Sequence, residues 1–192
     1  MEKRNNNIYT IALIAVFTVI ISVISSLNIG FEILGVPATL QTFAMAFAGF
    51  VLGYKKGTLT IFIYILLGAI GLPVFNGFLG GIGVLLGVTG GFIFGFLFIG
   101  FFSGLGMKFT KIKNAVLVSI IRIVLSIFGL LLCHVLGSIA AGIYLETSTR
   151  SAALLVSIPY IPKDIVSIIL AYILALAVRK AIVSAKFGEF IK

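Results

Sequence analysis

Six apolar runs, separated by lysine and arginine clusters that fall on every second connection, constrain this chain more than any other feature. The runs are 8–27, 38–54, 57–72, 90–107, 114–143 and 159–182, within 192 residues. A helix needs roughly 20 apolar residues to cross the hydrocarbon core of a bilayer, fewer where neighbouring protein covers it. Irregular backbone cannot face lipid, so a run that spans is a helix. With 61% of residues hydrophobic and 10% charged, the composition lies far from that of a soluble domain. The expected fold is an all-α integral membrane protein, one membrane domain over 1–192 with six transmembrane helices. Lys3 and Arg4 ahead of the first run resemble the start of a signal peptide. That run is nevertheless a full span with no small-residue cleavage site after it, so it is expected to remain as a helix.

The basic residues fix an orientation. Lys3 and Arg4, Lys55 and Lys56, Lys108, Lys111 and Lys113, and Arg179, Lys180, Lys186 and Lys192 all fall on one side of the alternation, eleven of the fourteen Lys and Arg. The other side holds Arg150 and Lys163, together with Glu32, Glu146 and Asp164. Positive-inside asymmetry then puts both termini in the cytoplasm. The net charge of +9 is a topology signal, and no nucleic-acid partner is needed to account for it.

Between the third and fourth runs lies a glycine-dense stretch, from Gly71-Leu72-Pro73-Val74-Phe75-Asn76-Gly77-Phe78 to Gly90-Gly91, with Asn76 as its one amide side chain. Glycine permits close backbone approach. Residues 71–91 are expected to be an irregular loop covering or lining a pocket, the alternative being a flexible surface connection. Upstream, Gly30 to Gly35 are expected to turn outside the membrane, with Pro37 in the first turn of the second helix and Thr39 and Gln41 entering it.

On the fourth helix Gly87, Gly91, Gly95, Gly100 and Gly104 suit close helix packing. The fifth carries Arg122, Ser126, Gly129 and Cys133 along one stripe, with His134 adjoining. Arg122 either snorkels to the cytoplasmic surface or lines a polar interior. His134 is either a hydrogen-bonded interior histidine or part of a pocket wall, and a single histidine makes no metal site. Asp164 lies in the first turn of the sixth helix, beside Lys163 and followed by Ser167. It is either a partner of the helix dipole or a functional ionisable group at a membrane edge. The topology gathers Gln41, Asn76, the 77–91 loop, His134, Tyr144, Tyr160, Lys163 and Asp164 in the outer half, the makings of a small-molecule pocket.

Several segments together resemble the BioY family over about residues 8 to 182. They are Val36-Pro37-Ala38-Thr39-Leu40-Gln41-Thr42, Leu52-Gly53-Tyr54-Lys55-Lys56-Gly57, Tyr64 through Phe75, Thr89-Gly90-Gly91-Phe92 and Pro159-Tyr160-Ile161-Pro162-Lys163-Asp164. The resemblance implies the biotin-binding subunit of an energy-coupling factor (ECF) transporter in a bacterial plasma membrane. It also implies a membrane coupling subunit and two ATPases as partners, and no cofactor of the chain's own. Implied ligand-binding residues are Asn76, Asp164, Lys163, Gln41, Phe75, Phe78, Gly90, Gly91, His134, Tyr144, Tyr160 and Ser167, with Ala12 and Ala15 for partner docking. The chain departs from the family pattern in having Lys163 where glycine commonly precedes the aspartate and Ser167 where lysine commonly follows it. Its Ala12 is followed four residues later by Val16 rather than alanine.

Other classes fit less well. The pocket pattern also suits a binding subunit for another vitamin. A membrane enzyme acting on a lipid would need paired carboxylates, an activated nucleophile or a metal cluster, and five acids and one histidine do not supply them. A channel would need a polar path through the cytoplasmic half, which is apolar. No glycine-rich nucleotide loop ending in Lys and Ser or Thr is present, so energy for transport is expected to come from partners.

Overall fold

The computed structural model describes residues 2–109 and 114–185. Lys111, Lys113, Lys186 and Lys192 lie outside the described residues, as do the side chains of Lys3 and Arg4. The chain opens with helix α1 (Glu2–Ser26), then an antiparallel hairpin of β1 (Asn28–Ile33) and β2 (Val36–Thr39), then α2 (Gln41–Ala69). A short α3 (Ile82–Leu85), α4 (Gly90–Gly106), α5 (Ala115–Tyr144), a one-turn α6 (Thr149–Ala152) and α7 (Ile161–Ser184) complete it. Among the described residues, four helical stretches are long and apolar enough to cross a membrane: Ile8–Ser26, Gln41–Ala69, Ala115–Tyr144 and Thr149–Ser184, with Gly90–Gly106 as a shorter apolar helix.

The second and third runs form one element folded back on itself. Gly53 breaks α2 at φ 78, ψ 171, a conformation open to glycine and strained for other residues. The reversal brings Gly57 against the first leg so closely that a Cβ there would stand 2.8 Å from Gly49 Cα. The legs, 41–52 and 54–69, measure only about 18 and 24 Å at 1.5 Å per residue, so they depend on neighbouring helices for cover. Glycines supply the fit. A Cβ on Gly95 would overlap Cys133, one on Gly104 the backbone of Gly53 and Tyr54, and one on Gly129 the Phe98 carbonyl. The α4 glycines and the Gly129–Cys133 stripe of α5 are thus the seams of an α2–α4–α5 core. Ser103 and Ser126 share a buried hydrogen bond across the α4–α5 seam. Met45, Phe50, Tyr64, Ile99, Leu130 and Ile168 fill the interior.

The external turn expected at 30–35 is instead the tip of a β-hairpin, and the second helix begins at Gln41 rather than 38. Leu34 and Gly35 both take positive φ, 49° and 76°, as the central residues of a two-residue hairpin turn with this twist require. Pro37 is consequently a strand residue opposite Glu32, tolerable in a two-stranded edge, and not part of a helical first turn.

Apart from Arg150 and Lys163, the basic residues whose side chains are described gather at one end. Lys108 lies 4.3 Å and Lys55 5.9 Å from the centre of the Tyr54 ring. Arg122 donates to the Gly106 and Phe109 carbonyls, closing the end of α4. Arg179 donates to those of Phe50 and Val51, at the end of the first leg of α2. Arg122 therefore turns to the basic end, with its third nitrogen donating to the Tyr172 hydroxyl at 3.3 Å. Asn114 starts α5 there, its side-chain oxygen accepting from the Val116 and Leu117 amides as an N-cap does. The hairpin, residues 70–89 and the 145–160 connection sit at the opposite end, where Ser26 of α1 meets the Pro73 carbonyl at 3.5 Å.

Candidate functional site

At that opposite end a cavity of about 300 Å³ opens between the hairpin, the glycine-dense segment, α4, α5 and the start of α7. Its polar wall is built around Asp164. Pro162 lies in the first turn of α7, a position suited to it, and so does Asp164, 5% exposed and lining the cavity. A buried carboxylate needs partners. Lys163 Nζ donates to Oδ1, and His134 Nε2 lies 3.2 Å from Oδ2.

The same stretch of α7 holds the hairpin. Lys163 also donates to the Thr39 carbonyl at 2.9 Å, and the Tyr160 hydroxyl donates to the Val36 carbonyl at 2.6 Å. The two donors are three residues apart on the helical side and their acceptors three apart on β2, so the hairpin becomes a fixed wall. Where β2 meets α2, the Thr39 hydroxyl donates to Gln41 Oε1 at 3.0 Å and Gln41 Nε2 to the Tyr64 hydroxyl at 3.4 Å. Gln41 thus faces the cavity with its amide already oriented.

The facing wall is the glycine-dense segment, docked onto the second leg of α2. The Gly81 amide donates to the Gly68 carbonyl at 2.7 Å, and the Phe75 amide to that of Leu79 at 2.9 Å. The Phe75 ring, 1% exposed, lies on Gly68 and meets Tyr64 edge-on at 5.5 Å. A Cβ on Gly68 would stand 2.0 Å from that ring, so glycine is required for the ring to seat. Next to it, Asn76 lines the cavity with its Oδ1 buried and without a partner. His134 Nδ1 is orphaned in the same way, on the polar wall. Leaving such an atom unpaired costs about 1–3 kcal/mol, and two of them around one cavity are what a bound polar ligand would relieve.

Of the residues expected at a site, the structure brings Gln41, Phe75, Asn76, His134, Tyr144, Tyr160, Lys163 and Asp164 to this cavity. Tyr144, at the end of α5 and 60% exposed, is at its rim. Four lie elsewhere. Phe78 is 66% exposed at φ 59, turned out by the tight 75–79 bridge. Gly90 and Gly91 are packing glycines, where a Cβ would overlap the carbonyls of Leu85 and Leu136. Ser167 is buried and does not line the cavity. Sequence reasoning did not assign Thr39, Phe92 and Phe96, which the structure adds to the lining, while Val88 comes from the loop expected there. The i, i+4 spacing of Phe92 and Phe96 was the available signal, and Phe92 meets the His134 ring edge-on at 5.7 Å. No group of His, Cys, Asp and Glu among the described residues is suited to a metal ion. Ala12 and Ala15 lie exposed on α1.

Comparison with known proteins converges on one family. The BioY family profile matches residues 1–184. The biotin transporter BioY2 of Lactococcus lactis subsp. cremoris is 36% identical over 179 residues, covering 93% of this chain and 94% of its own. The probable biotin transporter BioY of Pyrococcus horikoshii is 38% identical over 165 residues, covering 86% and 93%. Among solved structures, the S-component for biotin from an ECF-type ABC transporter superposes with a TM-score of 0.79 at 29% identity, over 92% of this chain and 93% of that one.

Proposed function

This chain belongs to the BioY family, and we propose that it captures biotin from outside a bacterial cell, in the plasma membrane, for ATP-driven uptake. It is a membrane transport subunit and does no chemistry of its own. The observation that carries the ligand assignment is the pairing of walls across the cavity. Asp164 lines it on one side, held in place, and Asn76, whose buried Oδ1 has no partner, lines it on the other. Biotin presents two ureido N–H donors, a carbonyl acceptor, an apolar ring and a carboxylate tail. Asp164 and Asn76 Oδ1 accept the N–H groups, Gln41 or the Asn76 amide donates to the carbonyl, and Phe75, Phe92 and Tyr160 enclose the ring.

The orientation follows from charge. Lys55, Lys108, Arg122 and Arg179 share one end of the bundle, and the basic end of a membrane protein faces the cytoplasm, so the cavity opens outward and both termini lie inside. Lacking a nucleotide loop, the chain needs a membrane coupling subunit and two ATPases, with Ala12 and Ala15 of α1 offered to them, and no cofactor of its own. Mass spectrometry of ligand co-purified with the detergent-solubilised chain, followed by calorimetric titration, tests this. Biotin in the extract and saturable 1:1 binding are expected. A different vitamin would make it a subunit for that vitamin, and no saturable binding of biotin would overturn the assignment.

A further inference from the structure

The Asp164 carboxylate is anchored at both oxygens from within the protein, Oδ1 by Lys163 and Oδ2 by His134. An ionised carboxylate offers about four acceptor positions, and with the Thr42 side chain also hydrogen-bonded to it three are filled, which leaves one for a ligand N–H. A carboxylate that kept its full charge would take a cyclic guanidinium more strongly than a cyclic urea of the same shape, because charge-assisted pairs are roughly twice as strong. Lys163 is the one lysine or arginine among the described residues lining the cavity, and its ammonium is committed to Asp164 and the Thr39 carbonyl. The other acid on the lining, Glu32, is exposed on the hairpin, where solvent screens it.

We propose that Lys163 is a specificity-determining positioning residue: it cancels the charge of Asp164 while leaving the carboxylate an open acceptor position, so that the site selects an uncharged cyclic urea over a guanidinium. This rests on the biotin assignment above. A charge within ~4–6 Å shifts a protonation equilibrium by 1–3 pKa units, and the same energy discriminates a charged ligand from a neutral one. The role differs from a contact to the carboxylate tail, which would respond to the tail and not to the ring.

The test compares biotin, iminobiotin (guanidinium in place of the urea, protonated at neutral pH) and biotin carboxamide, titrated at pH 7 against wild type, Lys163→Met and Lys163→Arg. Wild type is expected to prefer biotin to iminobiotin. Lys163→Met should shift the iminobiotin-to-biotin affinity ratio upward by about tenfold or more, the lower end of the effect of a neighbouring charge. Lys163→Arg should restore the wild-type ratio. An unchanged ratio in Lys163→Met, with both ligands weakened alike, would reduce Lys163 to a tether for the hairpin and overturn the proposal. So would a loss confined to biotin and absent for the carboxamide, which would assign Lys163 to the tail. If Lys163→Met does not fold, the wild-type ratio still decides, since a wild type preferring iminobiotin excludes charge cancellation. A wild type binding none of the three overturns the biotin assignment itself, and this inference with it.

Discussion

The arginines at one end of the bundle and the cavity lining at the other differ in how their polar atoms are used. At the basic end, Arg122 and Arg179 direct their donors to carbonyls of Gly106, Phe109, Phe50 and Val51, at the ends of α4 and of the first leg of α2. At the cavity end, the frame is satisfied and the lining is not. Tyr160, Lys163 and Thr39 hold the hairpin through their own bonds, while Asn76 Oδ1 and His134 Nδ1 are buried with nothing to bond. A polar group that completes the fold contributes stability whatever is bound, whereas one left unpaired contributes only when a ligand arrives. The comparison therefore separates residues by which measurement their loss should move.

The coarsest way to break it is to reverse the molecule. In a Cys133→Ala background, Thr147→Cys near the cavity end should react with a membrane-impermeant maleimide in intact cells, and Lys55→Cys only after permeabilisation. This is an all-or-none difference, and the opposite pattern would turn the cavity to the cytoplasm. Next in size is Asp164→Asn. It removes a charged acceptor and should weaken biotin binding by about 1.5–3 kcal/mol while the chain still folds. Unchanged affinity by calorimetry would return Asp164 to a helix-dipole role. At the other end, Arg179→Met removes two donors from a half-buried site and should cost about 1–2 kcal/mol of stability, read as a lower Tm in detergent. Its biotin affinity should equal that of wild type. A parallel loss of affinity would mean that the two ends are coupled.

How much of this was legible follows from the range over which each feature is encoded. Apolar runs and basic clusters are local, and the runs recur as helices, the second and third as legs joined at Gly53. The spaced glycines of α4 predicted close packing, and their neighbours, Cys133, Leu136 and Tyr54, supply it. The hairpin was hidden because its turn carries Leu34 in a conformation that usually announces itself through Asn, Asp or Gly. Pro37 then imitated a helix start. The polar wall was legible residue by residue and not as a unit. His134 and Asp164 are thirty positions apart, and their pairing depends on how α5 and α7 cross. Phe75 and Phe78, three residues apart in one loop, were indistinguishable in sequence. A seat on Gly68 buries the first, and a tight turn exposes the second.

The smallest and most diagnostic effect is expected at Asn76. Removing a side chain that already has a partner lowers the stability of the empty protein. Asn76 Oδ1 has none, so Asn76→Ala takes away an unsatisfied group, and the ligand-free Tm should hold or rise slightly. With biotin present the sign reverses, because the variant lacks an acceptor for a ureido N–H, and affinity should fall by about 0.5–1.5 kcal/mol, the net worth of one hydrogen bond. Amide exchange over 73–90 sharpens this further. In the wild type, biotin should slow exchange there, since the ligand bridges the docked segment to the polar wall. In Asn76→Ala the slowing should largely disappear, although Phe75 still seats on Gly68. Equal protection in the variant would show that apolar contact with Phe75 and Val88 anchors the segment. No protection even in the wild type would show that the segment is a static wall, as complete in the empty protein as the arginine-capped end opposite.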